Sequence, residues 1–222
     1  ISYTPFMQPH VISETVGSTV NELTYTYGAD YNRLKGVLKQ GGSVVNTRYY
    51  LSSCEKNVIG SMTTYVHYIN SPAGVVAMVV REGFVEYYRY VYTDHLGSIV
   101  TVTDNSANVI AEQNFDAWGR RRDPLSWALL APTAATGLPY WLYRGYTGHE
   151  HLDNFGLINM NGRMYDPVVA RMHSPDNHVP NVGLTQDFNR YSYARNNPLV
   201  YTDPDGEWVH LVVGAVIGGV LN

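Results

Sequence analysis

Several residue classes are scarce in this 222-residue chain, and each scarcity excludes a class of protein. Cys54 is the only cysteine, so no disulfide can form within the chain and the fold must depend on buried apolar surface. Charged residues make up 15% of the chain, and 15 Lys and Arg against 19 Asp and Glu leave a formal net charge of −4. Proteins that bind nucleic acid through its phosphates usually carry a basic patch, so the sequence predicts no nucleic-acid partner.

Long apolar runs and extended basic clusters are also missing. The most apolar stretch, residues 208–221, is about 14 residues long and falls short of the roughly 20 that cross a bilayer. We interpret it as a helix or strand buried in the intact protein, in preference to a membrane-active segment. The only basic cluster, residues 120–122, is interpreted as a solvated turn. The chain opens on Ile1 without a signal peptide and stops within the apolar run, so we expect it to be a fragment.

Tyrosine and a period-two alternation of side chains are abundant. The chain has 19 tyrosines, and aromatic and β-branched side chains suit a pleated, half-buried surface. Segments of such residues alternate with Gly, Asn, Asp or Ser-Pro turns, which predicts antiparallel hairpins, although a β-sandwich would give a similar pattern. The predicted strands are residues 22–27, 43–51, 62–70, 74–80, 83–93, 98–103 and 109–115.

The remaining segments are dominated by turns. Residues 123–139, rich in Pro, Ala and Gly, predict a long exposed loop. Residues 165–208 contain three Asp-Pro or Pro-Asp elements, whose proline fixes φ and restricts the preceding residue, so short strands and tight corners are expected there. Short helices are predicted only near residues 187–195 and after Trp208.

The turn-rich region belongs to an ordered set of motifs that resembles the RHS repeat-associated core domain of YD-repeat polymorphic toxins and surface proteins. The resemblance is strong over residues 92–206, and residues 27–34 (YGADYNRL) are similar to one YD repeat. The motifs, in the order in which the family has them, are YTDHLGS at residues 92–98, FDAWGR at 115–120, YTGHE at 146–150, GRMYDP at 162–167, NNP at 196–198 and DPDG at 203–206.

This resemblance implies a mainly β fold, in which an antiparallel YD-repeat hairpin ribbon forms part of a coiled shell and ends in the core or plug domain. We therefore expect a YD-repeat-like region at residues 1–91, the core domain at 92–207, and the start of an apolar C-terminal segment at 208–222. The family's expected partners are a C-terminal toxin domain of the same polypeptide and the remaining shell. A secretion-system component and a surface glycan are further partners to consider.

The resemblance also implies a reaction. In the self-processing members, such as the C components of Tc toxins, an Arg and two Asp form an aspartyl autoprotease, and the matching residues here are Arg163, Asp176 and Asp203. Two carboxylates held close together share a proton, so one can activate water while the other polarises the scissile carbonyl. The family motif commonly reads Asp-Pro-x-Gly-Leu with the break just after Leu, whereas Gly206 is followed here by Glu207 and Trp208.

Other chemistry is not indicated. The two histidines of His149-Glu150-His151 lie two positions apart and not four, so turn or core contacts are preferred to a metal site. No cofactor and no metal are therefore expected.

Three functions remain open. The first is a secreted or surface toxin shell that encapsulates a C-terminal effector and cleaves itself near residues 206–208. The second is a non-processing cell-surface binding or adhesion protein, and the third is an inactive structural remnant.

Overall fold

The structure, a computed structural model, describes residues 1–72, 74–131, 137–177 and 183–206, together with the backbone of residues 210–211. Within these residues nearly all regular structure is β, with nineteen strands and three short 3₁₀ helices. No described helix has the length and apolar character needed to cross a membrane. The mainly β fold predicted from the sequence is confirmed.

The first part of the chain forms one large sheet. Eleven strands lie next to one another in chain order, and the pairings from β1 to β9 are antiparallel, as expected for successive hairpins. The strands are β1 (Ser2–Tyr3), β2 (Pro9–Val16), β3 (Thr19–Tyr27), β4 (Arg33–Gln40), β5 (Ser43–Leu51), β6 (Cys54–Ile59), β7 (Met62–Ser71), β8 (Gly74–Glu82), β9 (Val85–Thr93), β10 (Ile99–Thr103) and β11 (Val109–Glu112).

The strands predicted from the alternation lie in this sheet, except that the end of the predicted strand 109–115 belongs to β12, and four strands of the sheet were missed. These are β1, β2, β4 and β6; β4 contains Lys and Gly, and β6 contains Glu, Lys and Asn, which are poor strand formers. The glycine at position 36, in the middle of β4, is explained by a tertiary contact. A Cβ at this position would lie 3.0 Å from the ring of Tyr25, which packs over it from β3.

The later strands are short and form three small sheets. β14 to β17 make a four-stranded antiparallel sheet in chain order, while β12 pairs with β13 and β18 with β19. The strands are β12 (Asn114–Phe115), β13 (Arg121–Arg122), β14 (Glu150–Leu152), β15 (Leu157–Asn159), β16 (Met164–Asp166), β17 (Arg171–Met172), β18 (Tyr201–Thr202) and β19 (His210–Leu211).

The chain divides into two compact units. One contains Ile1–Val91 and Thr103–Val109, and the other contains Tyr92–Val102 and Ile110–Asn222. The second unit has a core of tyrosine, Ile and Met side chains around Tyr146, Tyr165 and Tyr193. The hydroxyl groups of Tyr146 and Tyr165 donate to the carbonyls of Ala117 and Trp118 at 2.8 and 2.9 Å, so both buried rings satisfy their polar end.

A recurrent aspartate turn connects several strands. The aspartate Oδ1 accepts hydrogen bonds of 2.8–2.9 Å from the backbone N–H groups two and four residues later. The third residue after the aspartate donates its N–H to the aspartate carbonyl and has a positive φ, which favours glycine. The turns begin at Asp94, Asp104 and Asp116.

The predicted solvated turn at residues 120–122 is wrong for Arg121. Residues 121–122 form β13, and the Arg121 side chain is only 10% exposed. Its Nη1 donates to Gln113 Oε1 at 2.5 Å, and its Nε lies 3.3 Å from Asp153 Oδ1. Arg120 is half-buried and pairs with Asp116 at 2.5 Å. Arg120 and Arg121 thus form specific pairs with neighbouring side chains, which a run of three basic residues does not indicate by itself.

The expected short helices are partly present. Thr185–Phe188 and Ala194–Asn196 are 3₁₀ helices that overlap the predicted segment near residues 187–195, and Tyr146–Gly148 is a third. After Trp208, residues 210–211 form β19 and pair with β18, while the remainder of the apolar segment lies outside the described residues. The predicted loop at 123–139 is irregular where it is described, apart from a bridge between Arg122 and Leu129.

Candidate functional site

The predicted site residues follow or precede short strands of the second unit. Arg163 stands directly before β16, Asp176 follows β17, and Asp203 comes immediately after β18. The hairpin between β15 and β16 turns through Asn161, whose φ of 70° lies in the left-handed region that Asn tolerates. Arg163 and Asp203 are therefore held at strand ends next to tight turns, as the Pro, Gly and Asn content of these motifs predicts, whereas Asp176 lies in an irregular segment.

Arg163, Asp176 and Asp203 converge on one point. Nη2 of Arg163 lies 3.2 Å from Asp176 Oδ2 and 3.0 Å from Asp203 Oδ2. The three residues are buried, with exposed fractions of 5%, 8% and 0%. A single guanidinium thus bridges two carboxylates out of contact with bulk water, where their electrostatic interaction is stronger than at the surface.

Burial and the guanidinium act in opposite directions on Asp203. Loss of water raises the pKa of this carboxyl, the neighbouring Asp205 carboxylate raises it further, and Arg163 lowers it. Burial outweighs the ion pair, and the pKa of Asp203 rises to about 7 from its ordinary value of 3.8. The site consequently holds a carboxyl that is neutral in a large fraction of molecules near neutral pH.

Arg190, which the sequence did not indicate, links Arg163 to Asp176. The Arg190 carbonyl accepts hydrogen bonds from Arg163 Nη1 at 3.2 Å and from the Asp176 backbone N–H at 2.8 Å. Its own Nε donates to the Asp176 carbonyl at 2.5 Å. Arg190 therefore fixes the backbone at Asp176 and one nitrogen of the guanidinium. The sequence offers no signal for this role, because it depends on main-chain contacts between segments that are distant along the chain.

The end of the DPDG motif also reaches this site. The carbonyl of Gly206 accepts a hydrogen bond from Arg163 Nε. Gly206 has a φ of +75°, and a Cβ there would collide with the Met160 carbonyl and lie 2.9 Å from the backbone nitrogen of Gly162. Only glycine fits this close approach of two backbones. Gly206 of the predicted cleavage region is therefore placed at the site, while Glu207 and Trp208 lie outside the described residues.

His149 and His151 make core and turn contacts, as the sequence predicted. His149 Nε2 lies 3.1 Å from the carbonyl of Pro204 and donates to it, while its Nδ1 lies 2.8 Å from the Thr147 hydroxyl oxygen. His151 Nε2 accepts from the Tyr146 N–H at 3.0 Å, and burial lowers the pKa of His151 well below its ordinary value. Among the described residues, no group of three or more His, Cys, Asp or Glu could hold a metal ion.

The combined geometry suits hydrolysis of a peptide bond. It provides two buried carboxyl groups, one with a raised pKa, and a guanidinium that contacts both carboxyl groups and a backbone carbonyl. One carboxylate can remove a proton from water while the neutral carboxyl supplies a proton. A fixed cation next to the carbonyl oxygen can stabilise negative charge that develops there.

Comparison with known protein families gives one family match. The model of the Teneurin YD-shell matches residues 67–199. This range covers more than half of the chain and includes Arg163 and Asp176, while Asp203 follows it.

Individual relatives are much longer than this chain. The tRNA3(Ser)-specific nuclease WapA of Bacillus spizizenii is 28% identical over 221 residues, which cover 87% of this chain and 9% of the nuclease. Toxin subunit YenC1 of Yersinia entomophaga is 27% identical over 205 residues, covering 86% of this chain and 20% of the subunit. The chain thus spans a fifth or less of each relative's length.

A solved structure shares the fold. The crystal structure of TcdB2-TccC3-Cdc42 superposes with a TM-score of 0.73 over 93% of this chain and 10% of that one, at 20% sequence identity. An identity this low shows similarity of fold alone.

Proposed function

Because the chain belongs to the Teneurin YD-shell family, we propose that it is a shell and core segment of a secreted or cell-surface RHS toxin that encapsulates a C-terminal effector. The relatives named as a toxin subunit and a nuclease support a toxin context. The fold shared with TcdB2-TccC3-Cdc42 supports the shell. The proposed partners are the effector domain of the same polypeptide and the rest of the shell.

The core of this proposal is a single-turnover aspartyl autoprotease. Its roles are assigned to Arg163, Asp176 and Asp203, and the observation that carries it is their convergence within 3.2 Å of one buried guanidinium nitrogen. Asp203, whose pKa is raised to about 7, supplies a proton in its neutral form, and Asp176, the other carboxyl group that contacts Arg163, removes a proton from water. A target peptide in the same chain stays next to these groups, so no diffusing substrate has to be bound.

The test is the mass of the chain carrying a folded reporter domain fused after Asn222. The wild-type fusion should be recovered as two pieces, with the break in residues 206–208. Asp176→Asn and Asp203→Asn should each leave it intact, because Asn preserves the shape but cannot exchange the proton that acid–base catalysis requires. Intact-mass spectrometry, with circular dichroism to verify folding, reads both results.

Asp187→Asn is the matched control. Asp187 is another buried aspartate of the same unit and is held by Arg195 through two hydrogen bonds of 2.9 and 3.0 Å. Like the site variants, this variant removes a buried carboxylate that is paired with an arginine, but it leaves Arg163, Asp176 and Asp203 unchanged. It should therefore still cleave. A wild-type fusion that folds but is not cleaved would contradict the proposed autoprotease, while the proposed role as a shell segment would remain.

The second candidate is a non-processing surface binding protein or an inactive remnant of the same fold. Glu207 in the place where the family commonly has Leu favours it, because a carboxylate beside the scissile bond would be repelled by the ionised aspartate. A Glu207→Leu fusion distinguishes the cases. If this variant is cleaved and the wild-type fusion is not, the sequence at the cleavage position prevents the reaction and the aspartate pair is still able to catalyse it.

A further inference from the structure

A second aspartate of the DPDG motif contacts the buried one. Asp203 is 0% exposed, whereas Asp205, two positions later, is exposed. The side chains of these two residues form a hydrogen bond with each other. A carboxylate can only accept hydrogen bonds, so this contact requires a proton on one of the two carboxyl groups. A buried and an exposed carboxyl group therefore share one proton.

The backbone between the two aspartates is fixed by side chains and backbone groups from earlier segments. The Gly162 N–H donates to the Asp205 carbonyl at 2.8 Å. The Pro204 carbonyl accepts from His149 Nε2 at 3.1 Å and from Asn161 Nδ2 at 3.2 Å, and the proline ring restricts φ at this position. The contact between the two carboxyl groups is thus held by the fold and does not depend on a mobile loop.

The groups around Asp203 have opposite effects on its protonation. Burial raises its pKa, Arg163 lowers it, and Asp205 raises it through both its negative charge and its hydrogen bond. Arg163 Nη2 lies 3.0 Å from Asp203 Oδ2, and Asp176 contacts the same nitrogen at 3.2 Å. Tyr193 also interacts with Asp203, and burial raises the pKa of this phenol, which keeps it neutral. Among these groups, Asp205 is the charged one that opposes the effect of Arg163.

We propose that Asp205 is a positioning residue of the site: its carboxylate accepts a hydrogen bond from Asp203 and holds Asp203 in its protonated form. This inference rests on the proposed autoprotease, in which neutral Asp203 supplies a proton. A general acid must carry its proton before the reaction begins, and the guanidinium of Arg163 favours loss of that proton. The family motif, Asp-Pro-x-Gly-Leu, leaves the position of Asp205 open, so this role is a property of the present chain.

Titration of Asp203 tests this role without depending on cleavage. Two chains are compared, one with Asp176→Asn alone and one with Asp205→Asn added, so that neither is cleaved. NMR of the side-chain carboxyl carbons follows the titration, and the Asp203 signal is identified by its loss in Asp203→Asn. Asp205→Asn should lower the titration midpoint of Asp203 by about one pH unit, because it removes a neighbouring negative charge and the acceptor of the proton. An unchanged midpoint would overturn the proposal.

The pH dependence of cleavage tests the effect on the reaction. In the fusion with a reporter domain after Asn222, Asp205→Asn should be cleaved about tenfold more slowly than the wild type at about pH 8. At about pH 5 the two rates should be similar, because Asp203 is then protonated in both proteins. A variant that only disturbed the structure would be slower at every pH, and that result would also contradict the proposed role.

Asp153→Asn is the matched control. Asp153 is another partly exposed aspartate of the same unit, and its contact is with Arg121 at 3.3 Å. This variant removes the same charge but keeps the hydrogen bond between Asp203 and Asp205, so its pH profile should match that of the wild type. Equal shifts in the two variants would assign the effect to net charge and overturn the proposal. If no fusion is cleaved, the autoprotease is contradicted, while the titration still decides whether Asp205 holds the proton on Asp203.

Discussion

At the scale of single residues, Asp203 is the clearest case of competing interactions. The ion pair with Arg163 favours its charged form, yet complete burial and the neighbouring Asp205 favour its neutral form, and the balance raises its pKa to about 7. A carboxyl group with a pKa near neutral pH can both give and accept a proton, which is the property required of a general acid and base.

The raised pKa has a consequence for stability. Because Asp203 binds its proton more tightly in the folded protein, its contribution to the free energy of unfolding is fully present below about pH 4, declines as pH rises and is lost above about pH 7. Asn at this position has no proton to lose. Relative to Asp203→Asn, the wild-type chain should therefore lose stability between pH 4 and 7.

Urea denaturation of both proteins across this pH range, with intact mass verified first, measures the difference. Asp166→Asn is the reference for the effect of replacing an aspartate that is not fully buried. Asp166 lies at the end of β16 in the same unit and is partly exposed. Parallel stability curves for the wild type and Asp203→Asn would show that Asp203 ionises in the folded chain as it does in the unfolded one.

At the scale of elements, the aspartate turns show how a short motif can be used in different surroundings. Gly97 and Gly119 occupy the same position in their turns, with φ of +83° and +88°. A Cβ on Gly97 would meet nothing within 4 Å, whereas one on Gly119 would lie 2.7 Å from the ring of Tyr146. The turn requires a positive φ at both positions. At Gly119 the packing of the Tyr146 ring also leaves no space for a Cβ.

This contrast predicts different costs for the same substitution. Gly97→Ala should reduce the free energy of unfolding by about 1–2 kcal/mol, the cost of the left-handed conformation for an L-residue. Gly119→Ala should cost about 2–5 kcal/mol, because overpacking against Tyr146 is added to that strain. Urea or thermal denaturation measures both. Equal losses would mean that the Tyr146 ring moves aside without cost.

At the scale of the whole chain, an exposed aromatic stripe in the first unit stands out among the described residues. Tyr88 and Tyr90 alternate along β9 and are exposed, as is Phe84 in the preceding turn. Side chains two residues apart share one face of a strand, so these tyrosines form a continuous patch. Exposed apolar patches on sheets are sites of association.

We therefore expect the isolated chain to self-associate. Tyr88→Lys combined with Tyr90→Lys should shift it towards monomer, because two charges interrupt the patch. Thr15→Lys with Ser18→Lys, at exposed positions of the hairpin formed by β2 and β3, adds the same charge six or more strands from β9 in the order of the sheet and should have little effect. Light scattering coupled to size exclusion measures the mass, and a wild-type chain that is monomeric at high concentration would contradict this prediction.

The sequence by itself determined the fold class and the order of the strands. A strand's two faces are encoded by alternation of neighbouring residues, and short turns oblige successive strands to pair, so both properties are local. The aspartate and glycine motifs likewise encode their turns locally. Strands β4 and β6 escaped detection because their lysines are accommodated by cross-strand contacts with tyrosine rings, Lys35 with Tyr49 and Lys56 with Tyr49 and Tyr65, which no local pattern shows.

Only the tertiary structure decided the site. The resemblance named Arg163, Asp176 and Asp203, but their convergence joins residues up to 40 positions apart and depends on the registers of several hairpins. The role of Arg190, the close approach of Gly206 to Met160 and the burial of Arg121 have no local pattern. The raised pKa of Asp203 has the same origin, because desolvation is a property of the packed surroundings and not of the residue.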